Sequence, residues 1–369
     1  MLTGQNGILT QAQNAKTTNE NKSAEEKVKL SIMAARSQSE TGALDADKLV
    51  AEITNNYGGT ASKTNDGFPV NATVDGKTFI VDGDGNIEGN GSTGTKQDRT
   101  GLKVGDYINY KPDTEEGKTY SLLGAQSGYS SNQTIAKEPL NWRILKIKDD
   151  GSIDIISDLT NNGVYFYGEL GYNNGVYLLN DICRELYSNT SKGVTARSVN
   201  LKDMEDWLTD AGKTAKAKYN SGTYGETKTY KDSYSYAPNA YNSEEDENSS
   251  HYTSPTTETS TKLGTLNAKQ TYYNIPINET NYGEGAKVLS NLIGGYWVAA
   301  RCIYCYSTYA CFGLRYANTY INGSDMFYSY NSIIGSAYSP VRAVVSLGSS
   351  VQINANTGDS PANAHTIEW

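Results

Sequence analysis

The chain's four cysteines are the residues whose type and spacing could support covalent or metal chemistry. Cys302 and Cys305 have the Cys-x2-Cys spacing of a zinc-binding turn, and Cys311 could add a third thiolate. A zinc site is therefore an alternative, although no second Cys-x2-Cys or His pair accompanies it. Cys183 and Cys302 each lie in a segment typical of a core, whereas Cys305 and Cys311 lie in a polar tract. We predict a Cys183–Cys302 disulfide and no bound metal.

Acid–base and calcium chemistry have little support in the sequence. The two histidines, His251 and His365, lie in polar or terminal surroundings, and no paired carboxylates, Cys/His or Ser/His motif accompanies them. Asp82, Asp84 and Asn86 resemble the start of a calcium loop, but Ile87 and Thr93 occupy the positions that require Gly and Glu. A plain turn is the better interpretation. We predict a protein that is not an enzyme and that needs no cofactor.

Tyrosine is the residue type that stands out. The chain has 29 Tyr against 5 Phe, and eight of them lie between Cys302 and Ser339, a segment without Lys or Glu. Tyr supplies large amphipathic contact area at low entropic cost, and Ser, Asn and Gly adapt the hydrogen bonding. This composition predicts a recognition surface; the alternative is a Tyr-rich β surface without a partner. The net charge of −9 and the absence of a Lys/Arg run argue against nucleic acid as that partner.

The N-terminal part of the chain is predicted to form a small α+β module, separate from the domain that carries the cysteines and the Tyr-rich segment. Residues 22–36 predict a helix with an apolar stripe, and Asp45 can cap a second helix that ends near Ile53. The pair Asp75-Gly76, flanked by alternating apolar residues, predicts a β-hairpin. We place this module at residues 1–95, a linker at 96–100 and a second domain at 101–369.

The second domain begins with predicted strands and continues with two helices. The segment 142–156 predicts a hairpin, and apolar residues at helical spacing predict a helix from Asn174 to Tyr187. Asn200 can cap a further helix that ends near Leu208. Residues 211–274 are polar and Tyr-rich, include the acidic run Glu244–Glu247 and predict a surface insertion, and later strands are predicted at 296–301, 312–315 and 341–347.

Two parts of the chain resemble known families. Leu2–Lys16, followed by Ala24–Leu30, resembles the region after the hydrophobic N-terminal helix of type IV pilin-like proteins of Gram-positive gut bacteria. This resemblance implies a membrane-spanning half-helix upstream of Met1. The second domain resembles the C-type-lectin-like domain shared with formylglycine-generating enzymes, a mixed antiparallel sheet with two flanking helices. The residues that carry this second resemblance are Asn141–Ile147, Leu179–Cys183, Ala196–Ser198, Tyr296–Cys302, Phe312–Arg315 and Val341–Leu347.

In variable proteins diversified by retroelements, this late part of the lectin-like fold is rewritten at adenine-containing codons. The resemblance implies that the mixture of residues between the apolar anchors is a variable ligand-binding face. Cys305 and Cys311 would then be products of diversification. The predicted face comprises Tyr304, Cys305, Tyr306, Thr308, Tyr309, Cys311, Gly313, Tyr316, Asn318, Tyr320, Asn322, Ser324, Asp325, Tyr328, Tyr330 and Asn331.

Together these features predict a cell-surface, pilin-like adhesin that presents a diversified face to an external protein, glycan or phage component. Its other expected partners are pilin subunits, and membrane contact is expected only through the upstream helix. One alternative is a structural minor pilin that caps or spaces a fibre without a dedicated ligand. A further alternative is an extracellular enzyme of the lectin-like superfamily, whose most plausible form would need a free, reactive thiol.

Overall fold

The chain forms two compact units, Met1–Lys96 with Gly348–Ser350, and Gln97–Leu347 with Val351–Trp369. The structure is a computed structural model. It describes residues 24, 26–36, 38, 44–64, 67–83, 85, 87–88, 97, 99–220, 227–231, 235–241, 252, 254–291, 294–330 and 335–369. No helix among these residues is long and apolar enough to span a membrane.

The first unit packs two helices against a four-stranded antiparallel sheet. Helix α1 covers residues 26–36. The other elements are α2 (Ala46–Asn56), β1 (Thr60–Lys63), β2 (Val70–Val74), β3 (Lys77–Val81) and β4 (Ile87–Glu88), with the strands in sequence order. Val28 and Ile32 of α1 share one core with Leu49 of α2 and Phe79 of β3.

The helix cap and the hairpin turn predicted for this unit both form. The carboxylate of Asp45 accepts hydrogen bonds from the backbone N–H groups of Asp47 and Lys48, which caps α2. Asp75 and Gly76 both have positive φ, 49° and 74°, so they form the turn that joins β2 to β3. Residues 1–23, which carry most of the pilin-like segment, and Asp84 and Asn86 of the calcium-like turn lie outside the described residues.

The second unit has many short strands and several helices. In its first half these are β5 (Tyr107–Asn109), β6 (Thr119–Leu122), α3 (Gly124–Ser127), β7 (Gln133–Ala136), β8 (Trp142–Ile147), β9 (Ile153–Ser157), β10 (Gly163–Tyr167), α4 (Gly168–Tyr187), β11 (Ala196–Ser198), α5 (Leu201–Glu205) and α6 (Asp210–Ala217). The mixed α+β class predicted from the sequence is confirmed. Helix α4 begins six residues before the predicted Asn174, at Gly168.

The second half of this unit contains most of its strands. They are β12 (Thr227–Tyr230), β13 (Ser235–Pro238), β14 (Ser260–Leu263), β15 (Leu266–Lys269), β16 (Ile275–Pro276), α7 (Glu279–Tyr282), α8 (Ala286–Leu289), β17 (Tyr296–Cys305), β18 (Ala310–Ala317), β19 (Tyr320–Tyr328), β20 (Ser336–Pro340), β21 (Ala343–Leu347), β22 (Gln352–Asn354) and β23 (His365–Glu368).

A seven-stranded sheet with the order β11-β21-β9-β8-β5-β23-β22 separates two hydrophobic cores. Successive residues of one strand point to opposite faces, so Ile155 joins the core formed with α4 and Ile156 joins the core formed with α5 and α8. Strands β8 and β9 pair as the predicted hairpin. A second sheet, of order β16-β19-β18-β17, packs its inner face on α4.

The predicted surface insertion at 211–274 requires a correction. Strand β12 pairs with β15 and β13 pairs with β14, and Tyr230, Ala237 and Leu266 enter the core beside α4. Two buried amides of α4 hold the segment, because Asn173 donates to the carbonyls of Glu258 and Thr259, and Asn174 to that of Thr256. The described parts of this polar segment therefore belong to the packed unit. A polar sequence can do this because a strand buries only every second residue against the core.

Candidate functional site

Strands β17, β18 and β19 form an antiparallel meander whose two faces carry different residues. On the inner face, Ile303 pairs with Phe312, and both are buried. The ring of Phe312 packs edge-on against Tyr172 of α4, with centroids 5.6 Å apart. A Cβ at Gly175 of α4 would lie 2.3 Å from Cδ1 of Leu314, so glycine is needed for this close approach. The inner face thus holds the meander firmly on a helix.

The outer face is partly covered by the segment between β15 and β16. At the β17 edge, the N–H of Tyr272 donates to the carbonyl of Ile303 at 2.9 Å, and three residues later β16 pairs with β19. Between these points the ring of Tyr273 lies 4.6 Å from the guanidinium carbon of the buried Arg315. The segment therefore crosses the part of the face around Arg315. Among the described residues, the uncovered part lies toward the β17–β18 turn.

Seven tyrosine rings lie in edge-on, tilted or stacked contact along this part of the molecule. The N–H of Tyr306 donates to the carbonyl of Tyr309 at 2.9 Å and closes the β17–β18 turn, so the two rings stack with centroids 4.5 Å apart. Tyr304 lies 4.2 Å from Tyr306, and Tyr330 lies 4.8 Å from Tyr309. Tyr272 extends the series through Tyr304. We call this set the tyrosine face: Tyr219, Tyr272, Tyr304, Tyr306, Tyr309, Tyr328 and Tyr330.

One carboxylate, that of Asp325, lies among these rings. The hydroxyl of Tyr328 donates to Asp325 Oδ2 at 3.2 Å. Burial first, and then the charge of Asp325, raises the pKa of Tyr328 and of Tyr306. Burial and the same carboxylate raise the pKa of the Cys311 thiol. The phenols and the thiol therefore stay neutral at ordinary pH, and Asp325 supplies the negative charge of the tyrosine face.

The structure brings some of the predicted face residues together and separates others. Asn318 and Tyr320 lie at the β18–β19 turn, the opposite end of these strands from Tyr306 and Tyr309. Eight strand residues span roughly 25 Å, which is too far for one small ligand to contact both ends. Tyr316 and Asn322 hydrogen-bond to each other on neighbouring strands. The predicted residues at or beside the tyrosine face are Tyr304, Tyr306, Thr308, Tyr309, Asp325, Tyr328 and Tyr330; Ser324 is half-buried and Asn331 lies outside the described residues.

Three residues predicted on the ligand-binding face are buried instead, so this part of the prediction is wrong. Cys305 points inward, and its thiol donates to the carbonyl of Ala268 at 3.3 Å. Cys311 is 1% exposed, and its thiol is close enough to Asp325 for the carboxylate to shift its pKa. A Cβ at Gly313 would lie 2.6 Å from the carbonyl oxygen of Ser324. Gly313 therefore permits close strand pairing and displays no side chain.

The predicted Cys183–Cys302 disulfide is also absent, because all four cysteines are free and buried. Cys183 lies on α4 with its Sγ 4.0 Å from the carbonyl oxygen of Arg342, beside the seven-stranded sheet. Cys302 lies on β17 in the other sheet, where its Sγ would be 2.5 Å from a Cβ at Gly323. Each thiol fills a packed position in a different part of the unit. Core-like surroundings in the sequence indicated burial for both residues, but not contact between them.

Sequence reasoning missed several exposed or half-buried aromatic residues. Tyr219 and Tyr272 join the tyrosine face from the polar insertion, far from it in sequence. A second cluster forms where Tyr165 stacks with Tyr129 at 4.5 Å and lies 4.4 Å from Tyr338, which pairs with it across β10 and β20. No local signal could have found these contacts, since they depend on which strands become neighbours.

Within the described ranges, no group of three or more His, Cys, Asp or Glu residues comes together to hold a metal ion. The alternative of a zinc site at Cys302, Cys305 and Cys311 fails on geometry, because Cys302 and Cys305 lie three strand positions apart and so point to opposite faces, Cys305 inward and Cys302 outward. Comparison with protein-family models, with curated proteins and with solved structures gives no match for this chain.

Proposed function

We propose that the second unit is a recognition module that binds an external ligand through the tyrosine face. The observation that carries this proposal is the continuous series of seven tyrosine rings at and beside the β17–β18 turn. Tyr306 and Tyr309 are half-buried against each other, and Tyr330 is 41% exposed. Rigid tyrosines held by a sheet lose little entropy on binding and are frequent binding hot spots.

The tyrosine face is held in place by packing and hydrogen bonds beneath it. The inner side of the meander packs on α4. Residues of the polar segment 211–274 hold the end of β17. There Lys228 donates to the carbonyl of Cys305 at 3.2 Å, and the hydroxyl of Tyr230 donates to the carbonyl of Tyr306 at 2.8 Å. A display surface that is fixed before binding loses little free energy to ordering.

In the wider proposal, the chain is a cell-surface, pilin-like adhesin, and the module has a C-type-lectin-like fold with a retroelement-diversified face. The sequence resemblances support this context. The exposed residues Thr308 and Tyr330 and the half-buried Tyr306 and Tyr309, whose rings contact one another outside the core, could change without disturbing it, whereas Cys305, Cys311 and Gly313 could not. The alternative function, a structural minor pilin without a ligand, would instead use the tyrosine face against a neighbouring subunit.

Alanine substitution on the tyrosine face tests this function. The full chain is screened against arrays of glycans and of bacterial and host surface proteins, and affinities are then measured for each ligand found. We expect Tyr306→Ala and Tyr309→Ala each to weaken binding by about 1–3 kcal/mol, because aromatic anchors dominate such interfaces. Tyr167→Ala serves as the control, because Tyr167 is exposed and belongs neither to the tyrosine face nor to the cluster of Tyr129, Tyr165 and Tyr338. This variant should bind as the original chain does.

Unchanged affinity of the Tyr306 and Tyr309 variants for every ligand would refute the proposal. Binding lost only on Tyr165→Ala or Tyr338→Ala would move the site to the second aromatic cluster. Sequencing the DNA beside the gene tests diversification separately. A near-copy of the codons for residues 302–342 that differs almost only at adenines is expected, together with a reverse-transcriptase gene.

A further inference from the structure

The carboxylate of Asp325 lies among the rings of the tyrosine face. Asp325 is half-buried; the hydroxyl of Tyr328 donates to its Oδ2, and the thiol of Cys311 also hydrogen-bonds to the carboxylate. In the part of the chain that the structure describes, none of the ion pairs involves this carboxylate. A carboxylate withdrawn partly from water without a cationic partner costs free energy unless something offsets it.

The strand pairing places a glycine directly opposite this carboxylate. Asp325 pairs across the sheet with Gly313, which has no side chain, at a register shift between β18 and β19. The next residue on the outer face of β18 is Cys311, whose small neutral thiol is buried. Toward the β17–β18 turn, β18 therefore places no bulky or charged side chain beside Asp325, whereas Arg315, on the other side of Gly313, lies under the ring of Tyr273.

Aromatic rings border the same carboxylate. Tyr328 touches it directly, and the charge of Asp325 adds to the raised pKa of Tyr306 and of Tyr309. The rings of Tyr309 and Tyr328 lie 5.8 Å apart at an angle of 59°, so their faces are inclined to each other. Aromatic faces carry negative potential, and inclined rings around a carboxylate form the kind of site that attracts an organic cation.

We propose that the tyrosine face recognises a cationic side chain, the guanidinium or ammonium group of a basic segment in a partner protein. Asp325 provides the counter-ion, and the rings of Tyr306, Tyr309 and Tyr328 provide cation–π contacts. Charge complementarity favours such a partner, because the segment 302–339 carries one acidic residue, Asp325, and its one basic residue, Arg315, is buried. This inference rests on the proposed recognition function and names the chemistry that the site selects.

Titration calorimetry on the full chain tests the inference with two matched probes. One is a short acetylated peptide amide with two arginines, and the other has citrulline, the neutral isostere of arginine, in their place. We expect the arginine peptide to bind at least tenfold more tightly than the citrulline peptide. Its affinity should fall as NaCl is raised, because salt screens the ion pair. Equal affinities for the two peptides would overturn the inference without reference to any variant.

Substitution of Asp325 then tests whether its carboxylate is the group that binds the cationic peptide. Asp325→Asn keeps the shape and an acceptor for the Tyr328 hydroxyl, and it should reduce the affinity for the arginine peptide at least tenfold. Glu116→Gln changes the net charge equally at an exposed position and should leave the affinity unchanged. An Asp325→Asn variant that binds as tightly as the original chain, with an unchanged circular dichroism spectrum, would contradict the inference.

Failure of this inference is distinguishable from failure of the proposed function. If the two peptides bind equally and Tyr306→Ala weakens both, the tyrosine face binds ligands without selecting cations. If neither peptide binds, cation recognition is overturned, and the tyrosine variants with the array ligands still decide the broader function.

Discussion

At the scale of single residues, burial decides what the four cysteines can do. Desolvation raises the pKa of Cys305 to about 11 and that of Cys183 to about 12. The reactive form of cysteine is the thiolate, which is scarce when the pKa lies well above the solution pH. The cysteines therefore behave as small apolar residues in this protein, and the alternative of an enzyme with a reactive thiol gains no support from them.

We predict that no cysteine of the folded protein reacts with Ellman's reagent at pH 8 on the time scale of minutes. All four should react after unfolding in guanidinium chloride under non-reducing conditions, because all four are free. The absorbance of the released thiol measures both states. Two reactive thiols after unfolding would indicate a disulfide, and one rapidly reacting thiol in the folded state would contradict the burial that we describe.

At the scale of secondary-structure elements, helix α5 shows how a short helix is stabilised by its ends. The amide oxygen of Asn200 accepts from the N–H of Asp203, and the carboxylate of Asp203 accepts from the N–H of Asn200, which is a capping box. Arg197 adds two hydrogen bonds to the same carboxylate. Since a helix of five residues has few internal hydrogen bonds, these end contacts carry much of its stability.

We predict that Asn200→Ala lowers the free energy of unfolding of the second unit by about 1 kcal/mol, the usual contribution of an N-cap. Asn200→Ser, which preserves an acceptor, should cost only a few tenths of that value. Urea unfolding followed by tryptophan fluorescence measures the effect, because all four tryptophans lie in the second unit. Equal stability of the alanine and serine variants would show that the cap contributes nothing.

At the scale of the whole molecule, the second unit buries many tyrosines and thiols in their neutral forms. Burial raises the pKa of Tyr110, Tyr187 and Tyr282, each of which is buried in one of the two hydrophobic cores. A group with a raised pKa keeps its proton in the folded state while the unfolded chain releases it. Stability is thus full below the unfolded pKa values and falls as pH rises above them.

We therefore predict alkaline destabilisation that begins near pH 9, the ordinary pKa of a thiol, and steepens above pH 10, that of a phenol. Cys183 alone should account for a loss on the order of 3 kcal/mol by pH 11, since each pH unit above the unfolded pKa of 9.0 corresponds to about 1.4 kcal/mol while the folded thiol stays protonated. Urea unfolding at several pH values measures the slope. Cys183→Ala should flatten it, and an unchanged stability up to pH 11 would contradict the prediction.

The sequence by itself determined the features that depend on neighbours along the chain. The caps at Asp45 and Asn200 and the turn at Asp75-Gly76 are set by contacts within a few residues, and each forms as the sequence predicts. The mixed α+β class follows from hydrophobic periodicity, which is also a local property. The tyrosine density after Cys302 pointed to the strands that carry the tyrosine face.

Only the tertiary structure decided which residues meet. The inclusion of Tyr219 and Tyr272 in the tyrosine face, the pairing of Asp325 with Gly313, and the separation of Cys183 from Cys302 all follow from strand order and register. A shift of one residue in a strand reverses which face a side chain occupies, so composition alone could not distinguish buried Cys305 from exposed Thr308. Contacts between distant segments depend on the packing of the whole core, which no local pattern specifies.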